Sequence, residues 1–133
     1  MKILVTGGRD FKDREYVDKI LNEFYVKNKK DFSLVLGGAP GVDAFAQDWA
    51  CFMEVNHQVL YADWRRYGKR AGFVRNKLMA EQNPDLCVAF PGGIGTEMMI
   101  KICIQKNIPV IRRPIKECGI ELWIKQDNRY LEG

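Results

Sequence analysis

The 133-residue sequence has few residues of the types that bind metals or cross-link chains. It contains one histidine, His57, and four cysteines, none of which forms a C-x-x-C pair. Because zinc sites need clustered cysteine or histidine ligands, we expect no metal site. His57 opens a strand-like run, which favours a structural or surface role. The cysteines lie among apolar residues, which predicts buried, reduced thiols: Cys51, Cys87, Cys103 and Cys118.

The sequence also lacks a long hydrophobic run and a strong charge of one sign. No stretch approaches the roughly 18 apolar residues of a membrane helix. The first apolar run, residues 3–6, is too short for a signal peptide, so we expect a cytoplasmic protein with no membrane partner. The formal charge of +4 fits an anionic ligand but is too small to demand nucleic acid.

Short apolar runs instead alternate with longer amphipathic ones. Runs such as residues 33–36 are typical of strands buried on both faces of a parallel sheet. Between the runs, apolar residues recur at helical spacing, as from Val17 to Tyr25, with Asp13 placed to cap that helix. We predict strands at 3–6, 33–36, 58–61, 86–90 and 108–111, helices near 17–25, 42–50, 72–82 and 96–106, and a basic loop at 63–70.

This order predicts an α/β fold, a single Rossmann-like domain with helices on both faces of a mainly parallel sheet of five strands or slightly more. The length agrees with one domain. We expect a core over about residues 1–111 and a C-terminal extension over 112–133, in which residues 120–124 read as a short strand or helix. Pro109 predicts that the fifth strand lies at an edge or starts there.

Three predicted strands end in glycine pairs, Gly7–Gly8, Gly37–Gly38 and Gly92–Gly93. In a parallel sheet all three pairs lie at the carboxyl edge, where ligands bind. Glycine lets a ligand approach backbone N–H groups, and two of these loops lead into helix N-termini, which attract anions. The pattern therefore predicts a phosphate or carboxylate site. The alternative is that the glycines only form tight turns.

Neither of two common nucleotide motifs is present. No G-K-[ST] follows a glycine loop, and no G-x-G-x-x-G is paired with an acidic residue that closes the second strand. We therefore expect neither a P-loop nor standard NAD binding, and we predict no cofactor.

Four motifs occur in order along the chain: 5–10 (VTGGRD), 37–43 (GGAPGVD), 62–64 with 72–76 (ADW and GFVRN), and 90–96 (FPGGIGT). They closely resemble the YspA/YpsA-related family of the SLOG superfamily over about residues 1–111. That superfamily also contains the LOG phosphoribohydrolases and the Smf/DprA DNA-processing proteins. The resemblance implies a bacterial or phage-borne protein that binds a nucleotide or nucleotide-derived signal, and a homo-oligomer.

The resemblance to LOG enzymes also implies roles for particular residues. Their Pro-Gly-Gly-x-Gly-Thr loop cradles a nucleotide phosphate and matches residues 91–96, and Arg75 looks like their helix arginine. Their catalytic glutamate, three residues after the threonine, is replaced by Met99. Glu97 stands one residue after Thr96, about 200° away around a helix from that position. The resemblance therefore leaves cleavage of an N-glycosidic bond without its usual acid.

Other acids at the same edge could take that role. Asp10 and Asp43 could bind a ribose hydroxyl or act as a general base; the alternatives are a turn residue and a first-turn helix acid. Arg9 could clamp a phosphate. The candidate catalytic residues are Arg75, Asp43, Asp10 and Glu97. The candidate ligand-binding residues are Gly7, Gly8, Arg9, Gly37, Gly38, Gly41, Asn76, Pro91, Gly92, Gly93, Gly95 and Thr96.

The basic and aromatic segment 64–70 leaves three readings open: a phosphate-binding flap, a single-stranded nucleic-acid contact with bases stacked on Trp64 and Tyr67, or a solvated loop. Three functions follow. The first is nucleotide binding by a sensor or by a sequestering or processing protein; the second is hydrolysis of nucleotide N-glycosidic bonds; the third, less favoured, is single-stranded nucleic-acid binding. For an oligomer interface, Met98 and Ile104 are expected to be exposed.

Overall fold

The computed structural model describes residues 1–114, which form five strands, five α-helices and one 3-10 turn. The strands are β1 (Lys2–Thr6), β2 (Ser33–Leu36), β3 (Asn56–Val59), β4 (Leu86–Ala89) and β5 (Val110–Arg112). The helices are α1 (Arg14–Lys27), α2 (Val42–Phe52), α3 (Trp64–Tyr67), α4 (Ala71–Ala80) and α5 (Ile94–Gln105), and the 3-10 turn is Gly68–Arg70.

The five strands form one sheet in the order β3-β2-β1-β4-β5, and every neighbouring pair is parallel. The predicted α/β fold with a five-stranded parallel sheet is therefore confirmed. The chain builds outward from β1 to β3, then crosses back to place β4 on the other side of β1. The strand order thus reverses between β1 and β4, which is where open α/β sheets bind their ligands.

Helices cover both faces of the sheet, as predicted. One core cluster joins the inner faces of α1 and α2 to Ile3 and Val5. The opposite cluster joins α4 and α5 to Leu4 of the same strand. Alternating side chains of β1 point to opposite faces, and all three are fully buried, which explains the nearly continuous apolar run of the sequence.

The edge strands differ most from their predicted positions. β3 begins two residues before the predicted start, and its side chains alternate between exposed and half-buried. A half-exposed edge strand lacks a continuous apolar run, so the apolar residues 58–61 placed the prediction too late. β5 is the other edge strand and begins at Val110, directly after Pro109. The expectation for Pro109 is therefore confirmed.

Two expectations about buried residues were wrong. Cys51 is exposed near the end of α2, with its Sγ 3.8 Å from Nε2 of His57, while Cys87 and Cys103 are buried. Met98 and Ile104 are half-buried rather than exposed, because both pack against the core cluster that joins α4 and α5 to the sheet. Cys118 and the predicted element at 120–124 lie outside the described residues, and the division at residue 111 stays a prediction.

Within residues 1–114, no helix combines the length and apolar character required to cross a membrane.

Candidate functional site

The loops that follow β1 and β4 contact each other at the reversal of strand order. The backbone N–H of Gly8 donates a hydrogen bond of 2.8 Å to the carbonyl oxygen of Pro91. A Cβ at Gly92 would lie 2.7 Å from the nitrogen of Gly8, and one at Gly8 would lie 2.9 Å from the oxygen of Pro91. Glycine is required at both positions because no Cβ fits between the two backbones.

The loop after β2 joins this contact from the other side. The backbone N–H of Val42, the first residue of α2, donates 3.2 Å to the carbonyl oxygen of Gly8. Gly41 has a φ of +77°, and a Cβ there would lie 2.2 Å from the same oxygen. All three glycine loops therefore meet around Gly8 at one edge of the sheet.

The glycines of the second loop pack against protein atoms and are not among the residues that line the cleft. Gly37 leaves room for the side chains of Arg75 and Asp43, either of which a Cβ would approach to 2.9 Å. Gly38 lies under the ring of Tyr61, 2.5 Å from a hypothetical Cβ. This geometry gives Gly37, Gly38 and Gly41 packing roles and does not support them as ligand contacts.

The first and third loops border a cleft of about 750 Å³, a volume typical of small-molecule sites. Twelve of the sixteen candidate residues line it: Gly7, Gly8, Arg9, Asp10, Asp43, Arg75, Asn76, Pro91, Gly92, Gly93, Gly95 and Thr96. The apolar lining from Phe73 and Ile94 was not predicted. Both residues lie inside recognised motifs, but only the glycines and polar residues of those motifs were considered.

One end of the cleft is the N-terminus of α5. This helix starts at Ile94, with Gly93 as its N-cap, and has no side-chain capping hydrogen bond. The first N–H groups of a helix have no partner within the helix and carry partial positive charge. Thr96 is buried beside Gly92, where a Cβ would lie 2.1 Å from its Oγ1. The turn thus presents backbone donors next to a hydroxyl group.

Arg75 projects from the second turn of α4 and is held by two hydrogen bonds. Its Nη1 donates to the carbonyl oxygen of Gly37, and its Nε donates 2.9 Å to Oδ1 of Asn76. Buried Asn76 donates 3.4 Å to the carbonyl oxygen of Gly95, which connects this pair to the first turn of α5. Since α4 begins at Ala71, Arg75 lies beyond the first turn of this helix.

Asp43 lies buried next to Arg75 in the first turn of α2. Its Oδ2 accepts a hydrogen bond of 3.2 Å from the N–H of Ala39, whereas its buried Oδ1 has no partner among the described residues. Burial raises the pKa of Asp43 to about 6, against the opposing effects of the Ala39 hydrogen bond and the Arg75 charge. Asp43 is therefore a carboxyl group that can change charge near neutral pH.

Two arginines face the same region of the cleft. Burial is the main cause that lowers the pKa of Arg75; the charge of Asp43 opposes this effect, and the charge of Arg9 adds to it. Arg9 itself is exposed and lines the cleft. The two like charges repel each other, and an anion bound between them would remove that repulsion.

The carboxyl groups suggested for catalysis are not all in the cleft. Asp10 is exposed and lines it. Glu97 is not among the lining residues, and both of its carboxylate oxygens accept from Arg112, at 2.7 and 3.0 Å. Met99, which takes the place of the LOG glutamate, is fully buried in the core. The geometry therefore does not support Glu97 as an acid of this cleft.

The basic segment is helical rather than a loop. The side chain of Asp63 accepts 3.1 Å from the N–H of Arg66 and caps α3, which runs into the 3-10 turn. Trp64 and Lys69 from this segment line the cleft. The loop prediction was wrong because the segment is too short and too polar to show helical periodicity, although Asp63 is a typical N-cap residue.

Another depression, of about 780 Å³, lies on α1 alone and brings no loops together. Across residues 1–114, no three histidine, cysteine, aspartate or glutamate side chains are grouped to hold a metal ion.

Comparison with protein families agrees with the fold and with the resemblance of the motifs. The model of the YspA, cpYpsA-related SLOG family (YAcAr) matches residues 1–67. The Gene 61 protein of Mycobacterium phage D29 is 36% identical over 117 residues, which cover 83% of this chain and 94% of that protein. The chain belongs to the YspA, cpYpsA-related SLOG family.

Solved structures share the fold of this SLOG-family chain at low sequence identity. DNA processing protein A from Streptococcus pneumoniae superposes with a TM-score of 0.74 at 15% identity, covering 95% of this chain but only 56% of that one. A molybdenum cofactor binding protein from Rippkaea orientalis has a TM-score of 0.70 at 18% identity, with coverage of 97% and 85%.

A third structure is that of DNA processing protein A from Helicobacter pylori, a protein with a single-stranded DNA binding mode. It has a TM-score of 0.67 at 15% identity and covers 97% of this chain and 73% of that one. The present chain thus spans little more than half of the Streptococcus pneumoniae structure. These similarities establish the shared fold.

Proposed function

We propose that the cleft binds the phosphate of a nucleotide or nucleotide-derived ligand, so that the protein acts as a sensor or as a sequestering or processing protein. The observation that carries this proposal is the uncapped N-terminus of α5 beside Arg75 at the reversal of strand order. Helix N-termini at this place in a parallel sheet are favourable sites for anions.

The electrostatics of the cleft support an anion over a neutral ligand. Arg9 and Arg75 contribute two positive charges, and the first turn of α5 adds backbone donors. A phosphate can accept hydrogen bonds from all of these groups at once, because it carries several acceptor oxygens. Asp43 is the nearby negative charge, and its buried position favours the neutral form as the pH falls towards 6.

A second candidate function is hydrolysis of a nucleotide N-glycosidic bond, which Asp43 favours. Its unpartnered Oδ1 and its pKa of about 6 suit a general acid or base. Asp10 is the other acid that lines the cleft. Release of free base from a bound nucleotide, lost in Asp43→Asn, would select this function; tight binding without release would select the sensor.

A third candidate is binding of single-stranded nucleic acid, for which the charge of α3 and α4 is the specific observation. Residues 64–80 contain no aspartate or glutamate, and their basic residues are Arg65, Arg66, Lys69, Arg70, Arg75 and Lys77. A structural neighbour is described as binding single-stranded DNA. Binding of short oligonucleotides that weakens steeply with salt and persists when the glycine loop is blocked would support this function.

The phosphate site is tested by ligand-dependent melting in a panel of nucleotides, ADP-ribose and NAD. We expect at least one compound to raise the melting temperature, because a ligand at 100 times its Kd stabilises a protein by about 2.7 kcal/mol. Gly93→Leu should abolish the shift, since a Cβ at Gly93 meets nothing within 4 Å and the new side chain would occupy the cleft. Gln105→Leu, at the other end of α5, is the control.

No shift with any compound would refute the proposal. An equal shift in wild type and Gly93→Leu would place the ligand elsewhere on the molecule and would also refute it.

A further inference from the structure

Four of the five exposed large aromatic side chains of the described residues lie in one segment near the cleft. They are Tyr61, Trp64, Tyr67 and Phe73, whereas Phe52 lies at the end of α2. Single exposed aromatic residues scattered over a surface are ordinary, whereas a group of them in one place commonly marks a site that contacts a ligand or partner. Only Trp64 and Phe73 of this group line the cleft.

The rings of this group differ in what already lies over them. The guanidinium of Arg66 is 5.2 Å from the centroid of Tyr67, and the ammonium of Lys77 is 5.6 Å from the centroid of Phe73. By contrast, no other aromatic ring and no cation of residues 1–114 lies over the ring of Trp64. Its side chain is 57% exposed. Trp64 therefore brings an exposed ring, free of such contacts within residues 1–114, to the lining of the cleft.

The position of Trp64 is built into the local structure. It is the first residue of α3, and the side chain of Asp63 caps that helix through the N–H of Arg66. The ring lies close to Gly72 of α4, where a hypothetical Cβ would be 3.8 Å from Cη2 of Trp64. Lys69, one turn further along, lines the same cleft. The indole thus lies where α3 and α4 line the cleft.

We propose that Trp64 is the stacking platform for the heteroaromatic base of the ligand, so that the cleft selects nucleotides over phosphates that lack a base. The inference rests on the proposed phosphate site. A nucleotide carries a planar base and an anionic phosphate on one small molecule. The lining of the cleft contains a matching pair of features: an indole from α3, and glycine loops with the N-terminus of α5.

The test compares adenosine 5′-monophosphate and uridine 5′-monophosphate with ribose 5-phosphate, which has the same phosphate and sugar but no base. Dissociation constants are measured by calorimetry for wild type, Trp64→Ala, Trp64→Phe and the control Phe52→Ala. We expect wild type to bind at least one nucleotide about ten times or more tighter than ribose 5-phosphate, because base stacking on an aromatic side chain contributes this much.

In Trp64→Ala this preference should disappear while the affinity for ribose 5-phosphate and the melting temperature without ligand stay unchanged. Trp64→Phe should keep most of the preference, and Phe52→Ala should keep all of it. Equal binding of nucleotides and ribose 5-phosphate by wild type would overturn the base platform but leave the phosphate site in place. Equal weakening of all three compounds in Trp64→Ala would likewise overturn it. Failure of wild type to bind any of them would overturn the proposed phosphate site as well.

Discussion

The backbone N–H of Gly8 donates a 2.8 Å hydrogen bond to the carbonyl oxygen of Pro91 and so joins the loops of the two strands between which the strand order reverses. Gly92 lies against this bond, with no space for a side chain between its Cα and the nitrogen of Gly8. At this edge of the sheet the two loops therefore contact each other through their backbones, and the glycines allow this close approach.

We expect Gly92→Ala to destabilise the fold by about 3 kcal/mol, since overpacking of a tight contact has a cost of this order. The new Cβ would lie 2.1 Å from Oγ1 of buried Thr96 and 2.7 Å from the nitrogen of Gly8. Urea unfolding gives the free energy. Gly93→Ala is the matched control, because a Cβ there meets nothing within 4 Å. Equal stability of the two variants would contradict the close contact of the loops.

Asp43→Asn should reveal the effect of the buried carboxyl group on stability. Its folded pKa of about 6 lies above its ordinary value of 3.8, so its neutral form is favoured by folding. This contribution is fully present below about pH 4 and is lost as the pH rises through 6. Between pH 5 and pH 8 the free energy of unfolding of the wild type should therefore fall by about 1 kcal/mol more than that of Asp43→Asn.

The measurement is urea unfolding of both proteins at pH 5 and pH 8. Asp10→Asn removes the same charge from an exposed side chain of the cleft and isolates the contribution of burial. A constant difference between Asp43→Asn and wild type at the two pH values would argue against an ionisable buried Asp43.

The sequence predicted the central strands well because a strand that is covered on both faces shows as a continuous apolar run. The apolar run 33–36 matches β2 residue for residue, since this strand is covered on both faces. β3 was misplaced because an edge strand exposes alternate side chains and needs no apolar run. α5 begins at Ile94, two residues before the predicted start, because Gly95 was taken as part of the loop although it lies in the first turn.

The sequence identified the loops and most of the polar side chains that line the cleft, but not which glycines face it. Parallel strands bring their carboxyl ends to one edge of the sheet, so the common edge of the three glycine loops follows from a parallel sheet alone. Whether a glycine faces a ligand or a neighbouring atom depends on tertiary contacts. Gly38 under Tyr61 and Gly37 beside Arg75 could not be distinguished from Gly93 by sequence pattern.

Exposure of cysteines can be checked with a thiol reagent. In a Cys118→Ser background we expect one thiol of the native protein to react rapidly with a disulfide reagent such as Ellman's reagent, because Cys51 is exposed and both Cys87 and Cys103 are buried. Denaturation should expose the two buried thiols to the reagent. The absorbance of the released thiolate measures the number of reacted groups. Loss of the fast phase in Cys51→Ser assigns it; three fast thiols would contradict the buried positions.

Arg75→Gln should separate the role of its charge in ligand binding from its role in the fold. A glutamine can still donate a hydrogen bond towards the Gly37 carbonyl, but it brings no charge to the cleft. We expect the affinity for a phosphate-bearing ligand to fall about tenfold, since a charge-assisted hydrogen bond contributes about 1.5–3 kcal/mol. The pKa of Asp43 should rise further above 6, because the positive charge that lowers it is gone.

The control is Arg70→Gln, because Arg70 is exposed and is not among the residues that line the cleft. Calorimetric titration measures the affinity, and the pH dependence of unfolding measures the shift. An unchanged affinity together with an unchanged pH dependence would exclude Arg75 from the cleft chemistry, whereas a shift in pH dependence alone would limit Arg75 to holding Asp43.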